Sequence, residues 1–311
     1  MRIATSTMTN LVSGTTGNAY ENYYNIMKKF AQGKNFTRAS EDVAGASNLI
    51  KVNDEIAKLT DYQSNIETAS SEMSLAYDTL SSVNDEVDKI NSLIVEASNA
   101  TTTPDSAKAI ASEIRERVNS IKGYMNTKYM DNYIFSGNNV QLPTYVTDDN
   151  GNTVYQGSAQ EVGDRNLTIS EGKTMAYNVT GDKIFPKTTI TNDDGTTTEV
   201  DFFAQMQELD DLLNADTLDY NAIRKKIDVT GDAYRNVTVE IGNFSAKVSK
   251  LESAKSLNQS TLTSLTEKKS DIEDIDIVKA ATDLKNAQTT LQASYTISNV
   301  ILGGMSLLDY L

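Results

Sequence analysis

The 311-residue chain has no cysteine, no histidine and no tryptophan. Those absences exclude disulfide frameworks, Cys/His zinc sites and catalysis built on a Ser-His or Cys-His pair. Proline is sparse, at Pro104, Pro143 and Pro186. Because proline breaks helix interiors, residues 1–103 and 187–311 are free to hold long helices. No apolar run approaches the roughly 18 residues of a membrane span, so no membrane insertion is expected. Met1–Thr7 offers no apolar core for a cleavable signal peptide. Positive charge is also short. Lys+Arg total 28 against 43 Asp+Glu, a net charge of −15, which disfavours nucleic acid and anionic membranes as partners.

What is present is helical periodicity. Met73, Ala76, Leu80, Val83, Val87, Ile90, Ile94 and Ala97 follow 3,4 spacing without a miss, continuing a pattern that begins at Leu49, Val52, Ile56, Leu59 and Ile66. One narrow apolar stripe of this kind calls for a partner stripe. A continuous helix over about 47–99 would be on the order of 80 Å long at 1.5 Å per residue. A second helix is expected from Ala107 to about Met130, with Pro104 near its start. The C-terminal third mirrors this pattern through Val237, Ile241, Phe244, Val248 and Leu251, with Lys255, Asn258 and Lys269 as polar seam positions that fix register. A last helix carries Ile277, Ala281, Leu284, Leu291, Tyr295, Leu302 and Met305. Phe202–Leu213 and Tyr220–Ile227 read as short helices.

Glycine concentrates in the middle, with seven of the 16 between residues 136 and 200. Asn150-Gly151 and Asp194-Gly195 each lie between β-prone runs and suit two-residue hairpin turns needing φ > 0. The expected fold is therefore α+β, mainly a long coiled-coil bundle built from the N- and C-terminal segments, with a central β-rich domain. The expected domains are 1–45 with 280–311 as terminal helical segments, 46–136 with 202–279 as the bundle, and 137–201 as the β-rich part.

Charge is unevenly placed. Residues 1–40 carry Arg2, Lys28, Lys29, Lys34 and Arg38 against Glu21 alone, a local +4, and Asn286–Leu308 carries no charge. An uncharged helix that is not lipid-like suits burial against protein on all sides, folding only when other subunits surround it. The alternative is a soluble frayed tail. The basic cluster lacks the aromatic platform of a nucleic-acid site. Carboxylate pairs such as Glu41/Asp42, Asp148/Asp149, Asp193/Asp194, Asp210/Asp211 and Glu273/Asp274 sit at turns or on polar helix sides, so no catalytic residue is assigned. Asp148–Asn152 misses calcium-loop spacing, and no phosphate-binding glycine motif occurs. No cofactor and no metal are expected.

Several motifs converge on one family. Met1-Arg2-Ile3 with Thr5 opens the chain, and Gly33-Lys34-Asn35 with Arg38-Ala39-Ser40-Glu41-Asp42-Val43-Ala44-Gly45-Ala46 follows. Asn126-Thr127-Lys128-Tyr129 and Tyr133-Ile134-Phe135-Ser136-Gly137 come next, with Asp131-Asn132 where glycine is usual before that tyrosine. Tyr155-Gln156-Gly157, Asn178–Asp182 and the ending Ser306–Leu311 complete the series. In this order they resemble the hook-associated protein 3 family of bacterial flagella, the hook–filament junction proteins, and more distantly flagellin.

The resemblance implies a non-enzymatic flagellar component, exported through the type III pathway without a cleaved signal and residing outside the cell. It implies ends that are loose in the monomer, a secretion chaperone bound near the C-terminus, and self-assembly between hook-associated protein 1 and flagellin. Arg38, Ser40, Asp42, Asn126, Lys128, Phe135 and Gly137 are its motif residues. The assembly interface is expected at Ile3, Leu11, Leu291, Tyr295, Ile301, Leu302, Leu307, Leu308 and Leu311. Three other readings compete: a flagellin-like filament subunit, a secreted carboxylate hydrolase on coiled-coil stalks, and a cytoplasmic coiled-coil dimer.

Overall fold

The structure is a computed structural model and describes residues 2–148, 151–156, 163–191 and 197–308. In chain order the elements are α1 (Arg2–Gln32), α2 (Val43–Ala97), α3 (Pro104–Met125), β1 (Lys128–Tyr129), β2 (Asn132–Tyr133), β3 (Tyr145–Thr147), β4 (Thr153–Tyr155), β5 (Asn166–Ser170), β6 (Lys173–Ala176), α4 (Gly181–Ile184), β7 (Thr188–Thr191), β8 (Thr197–Val200), α5 (Phe202–Asn214), α6 (Tyr220–Glu273) and α7 (Ile277–Leu308). They form two compact units. Unit 1 comprises Met1–Leu59 with Ser260–Leu311, and unit 2 comprises Thr60–Gln259.

Unit 2 is built on the unbroken seam of α2. Ile66, Ala69, Met73, Ala76, Leu80, Val83, Val87, Ile90, Ile94 and Ala97 are all buried. They share one core with Ile110, Ile114 and Ile121 of α3, Met206 and Leu209 of α5, and Ile223, Val237, Phe244 and Leu251 of α6. Each fully buried Val, Leu, Ile, Met or Phe among them contributes about 1.5–3 kcal/mol. Polar contacts then fix helix against helix. Arg117 on α3 donates to Glu86 on α2 at 2.9 Å, and Thr230 on α6 donates to Asn91 on α2 at 2.8 Å. Of the expected polar seam residues, Asn258 is buried and donates to the Ile169 carbonyl of β5, while Lys255 pairs with Glu67 at 3.4 Å.

Tyr220–Ile227 is not a separate short helix. It opens the 54-residue α6, because the heptad continues through Ile223, Lys226, Thr230 and Ala233, all buried. Two of these are polar, which hides the stripe from a hydrophobicity count. Lys226 is accommodated by Gln205 and Glu208, each accepting from its Nζ at 2.6 Å. The start of α3 follows the sequence closely: Pro104 occupies the first turn and the Thr103 hydroxyl accepts from the Ser106 N–H.

Between α3 and α5 the described strands form four separate antiparallel pairs, β1-β2, β3-β4, β5-β6 and β7-β8. The β3-β4 hairpin is longer than a two-residue turn allows. Its last strand pair is Thr147↔Thr153, it closes through Asp148 N–H to the Asn152 carbonyl at 2.8 Å, and Gly151 takes φ +87°. The β7-β8 register ends at Thr191↔Thr197, so the Asp194-Gly195 turn lies outside the described residues. Ile169, Met175, Val179, Ile184 and Phe185 join the helical core. Glu72 on α2 and Arg165 before β5 form a half-buried ion pair, and the Arg165 guanidinium stacks 4.8 Å from the Tyr177 ring. Phe185 and Phe202 stack at 4.7 Å, and Phe203 meets Tyr145 at 4.7 Å.

The tight β1-β2 turn places Met130 at φ +46° and Asp131 at φ +66°, where glycine is the low-cost residue. Met130 is 74% exposed, so little packing is lost with its side chain. Met130→Gly should therefore raise stability by about 1 kcal/mol, roughly 2–4 °C in the thermal midpoint for a unit of this size. Calorimetry checks this, and a lowered midpoint would contradict the strained-turn assignment.

Candidate functional site

Helices α1 and α7 lie side by side in unit 1, running antiparallel. At one end an antiparallel bridge joins Lys34 to Asp274. Further along, the Thr16 and Ser298 hydroxyls are 2.8 Å apart. The helices meet through stripes of mostly small residues at heptad steps. Ala280, Leu284, Ala287, Leu291, Ser294, Ser298 and Ile301 turn inward on α7, and Val12, Thr16, Ala19, Tyr23 and Ile26 on α1. Small side chains let two helices approach closely but bury little apolar area each.

The larger apolar side chains point elsewhere. Leu11 is 65% exposed, Ile297 58% and Val300 69%, and Met8, Tyr20, Tyr24, Ile277 and Tyr295 are also exposed. Ile277 and Tyr295, which the sequence pattern puts on one stripe with Leu284 and Leu291, thus stand off the inward stripe. Packing selects the face with small residues. A cavity of about 530 Å³ opens between the helices, lined by Val12, Ser13, Gly17, Tyr20, Tyr295 and Ser298 among others.

The expected interface residues therefore divide. Leu11 and Tyr295 face outward, Leu291 is buried within the pair, and Ile301 is half-buried. Ile3, Leu302, Leu307 and Leu308 fall on α1 and α7, with side chains outside the described set, and Leu311 lies outside the described residues.

The charges are sorted too. Residues 3–20 and 286–308 contain no Asp, Glu, Lys or Arg. Unit 1 as a whole carries 11 basic and 12 acidic residues against 17 and 31 in unit 2, so 14 of the 15 net negative charges belong to unit 2. The basic cluster near residue 30 is internally matched. Lys34 pairs with Glu273 at 2.7 Å and Asp274 at 3.5 Å, Lys29 lies 3.9 Å from Glu41, and Lys28 donates to Thr37 at 2.7 Å. The Glu273 carboxylate beside Lys34 holds its ammonium above the ordinary lysine range, and the Ser270 hydroxyl holds the Asp274 carboxyl below its own. Among the described residues no helix is long and apolar enough to cross a membrane.

Comparison with known proteins assigns this architecture. The N-terminal helical region of bacterial flagellin matches residues 3–140, and its C-terminal helical region matches residues 227–311. The chain belongs to the flagellin family. It is 24% identical over 307 residues to flagellar hook-associated protein 3 of Escherichia coli (strain K12), covering 95% of each chain. Among solved structures it resembles flagellar hook-associated protein 3 of Legionella pneumophila, with TM-score 0.61, 16% identity, and 70% of this chain and 96% of that one covered. It also resembles the flagellar junction protein FlgL of the same organism, with TM-score 0.58, 15% identity and coverage of 73% and 99%. Both structures carry the fold.

Most of the residues that carry the sequence resemblance stand where one element passes into the next. Asp42 caps α2, its carboxylate accepting from the Gly45 N–H at 2.8 Å, and a side chain at Gly45 would collide with that carboxylate. Arg38 and Ser40 are exposed in the preceding turn. Asn126, just past α3, pairs both ways with Tyr145: its amide nitrogen donates to the Tyr145 carbonyl at 2.8 Å and its oxygen accepts from the Tyr145 N–H at 2.9 Å. Lys128 lies 4.5 Å from the Tyr133 ring centroid. Phe135 is fully buried, its carbonyl accepting from the Gly181 N–H, and Gly137 takes φ +76°. Sequence reasoning missed the matched partners of the basic cluster, since Glu273 and Asp274 lie some 240 residues away.

Asn126→Ala leaves both Tyr145 backbone groups without these partners and should cost about 1–3 kcal/mol. Urea unfolding checks it, and an unchanged midpoint would contradict the joint.

Proposed function

We propose that the chain is a structural subunit of the bacterial flagellum, assembled by α1 and α7 at the hook–filament junction between hook-associated protein 1 and flagellin. The observation that carries this reading is the α1–α7 pair itself. Its inner stripes hold the two helices together, while Leu11, Tyr295, Ile297 and Val300 remain exposed on a stretch without charge. A surface that is apolar outward and uncharged suits coverage by neighbouring copies rather than by water. The sorting of charge supports the same reading: unit 1 is nearly neutral, so copies can meet there while the acid of unit 2 repels.

In this reading, segments 1–45 and 280–311 form the inner assembly domain, 46–136 and 202–279 the bundle, and 137–201 the outer part. Ile3, Leu11, Leu291, Tyr295, Ile301, Leu302, Leu307, Leu308 and Leu311 contribute to assembly. The monomer is exported to the cell exterior without a cleaved signal, with a secretion chaperone bound near its C-terminus. A structural rather than enzymatic role is supported by the carboxylates themselves. Asp42 is used as a helix cap, Asp210 binds Arg115 at 2.8 Å, and Glu273 and Asp274 bind Lys34. The junction reading is favoured over a filament subunit by the hook-associated proteins among its relatives.

The test uses a strain lacking its own copy of the gene. The intact chain should restore motility and label as a single band where hook meets filament. Leu11→Asp and Tyr295→Asp should leave the unfolding transition of unit 2 unchanged and abolish that band. Label along the whole filament, or normal filaments with both variants, would overturn the proposal.

A further inference from the structure

The α1–α7 interface has an unsolved register problem. Its inward stripes repeat every seven residues and consist largely of Ala, Ser, Thr and Leu. Sliding one helix by a heptad, about 10 Å at 1.5 Å per residue, sets a similar stripe against a similar stripe. Natural coiled coils penalise such slips with charges or a buried polar residue that mismatches when displaced. Here residues 3–20 and 286–308 carry no charge at all. The polar cross-pair of Thr16 with Ser298 is not selective, because Ser13 and Ser294 offer equivalent hydroxyls nearby on the two helices.

Discrimination is concentrated at the other end, where the α1–α2 turn meets the α6–α7 turn. The Asn35 N–H donates to the Glu273 carbonyl at 2.8 Å, and the Ile275 N–H donates to the Gly33 carbonyl at 3.0 Å. The Asn35 side-chain amide donates to the carbonyls of Asp274 at 2.7 Å and Ile272 at 3.3 Å. Lys34 adds its ion pairs to Glu273 and Asp274. Gly33 makes the approach with φ +67°, a conformation that side chains oppose. Each of these bonds exists in one alignment only. A one-heptad slip carries Asn35 and Lys34 past all of their acceptors together.

We infer that this clasp, Gly33-Lys34-Asn35 against Ile272–Ile275, is the register lock of the terminal helix pair. The uncharged stretches of the two helices, 3–20 and 286–308, supply adhesion without alignment, and the clasp supplies alignment at the closed end of the pair. The arrangement leaves the outward faces free of the charges that a register code would otherwise place there. It stands on the geometry alone and holds whatever the pair assembles with.

The absence of cysteine makes the test clean, because any disulfide comes from introduced residues. In the full-length chain, Thr16→Cys with Ser298→Cys reports the native register, and Thr9→Cys with Ser298→Cys reports the slip of seven residues that sets Ser13 against Ser294. Under thiol–disulfide exchange, the native pair should dominate in the otherwise unaltered chain. Adding Lys34→Ala with Asn35→Ala should raise the ratio of slipped to native disulfide at least tenfold. Lys34→Arg, which keeps the charge and the donor, should leave that ratio unchanged. An unchanged ratio in the double variant would overturn the lock. So would equal loss of both disulfides, which would make the clasp an adhesive rather than an aligner, or no native disulfide in the unaltered chain.

Discussion

The apolar seam on α2 is the constraint on which unit 2 depends. From Ile66 to Ala97 it offers a buried side chain at every third or fourth position, and a stripe so narrow and long cannot be covered by short elements. It needs α6 along it, and α3 and α5 to close the sides. Once that burial has set the helices together, the polar contacts act as alignment: Glu86 with Arg117, Asn91 with Thr230, Lys226 with Gln205 and Glu208. Their individual net worth is about 1 kcal/mol, small beside the seam. Their geometry excludes neighbouring alignments that the seam would accept.

Unit 1 divides the same labour differently. Its helix pair buries mainly small residues and leaves large apolar ones in water, so it is adhesive on two sides and strongly held on neither. Alignment is moved to one end, in the polar clasp around Lys34 and Asn35. The charge distribution has the same logic. With 14 of 15 net negative charges in unit 2, side-by-side copies repel through that unit over about a Debye length, 8–10 Å at moderate salt. The nearly neutral unit is where contact costs least.

What was legible in the sequence follows from which interactions are local. The α2 seam is legible because heptad burial repeats within one helix, and Pro104 marks the start of α3. The opening of α6 was misread because Lys226 and Thr230 occupy core positions, and a lysine there makes sense only when Gln205 and Glu208 are seen beside it. The inward stripe of α7 was also obscured. Ile277 and Tyr295 are more hydrophobic than Ala280 and Ala287, yet close helix approach selects the alanines. The clasp was beyond sequence reasoning: Gly33-Lys34-Asn35 and Glu273-Asp274 look like ordinary polar turns until a contact across some 240 residues joins them. Only the family motif hinted that the first of these turns matters.

The central claim is that the terminal helix pair, along its uncharged stretches, is completed by neighbouring copies. Hydrogen exchange resolved by residue tests it most directly, comparing the free chain with the chain assembled at the junction. The account predicts weak protection across residues 6–20 and 286–300 in the free chain, strong protection of the α2 seam in both states, and a large rise in the terminal segments on assembly. Terminal helices already as protected in the free chain as the seam of α2 would contradict it.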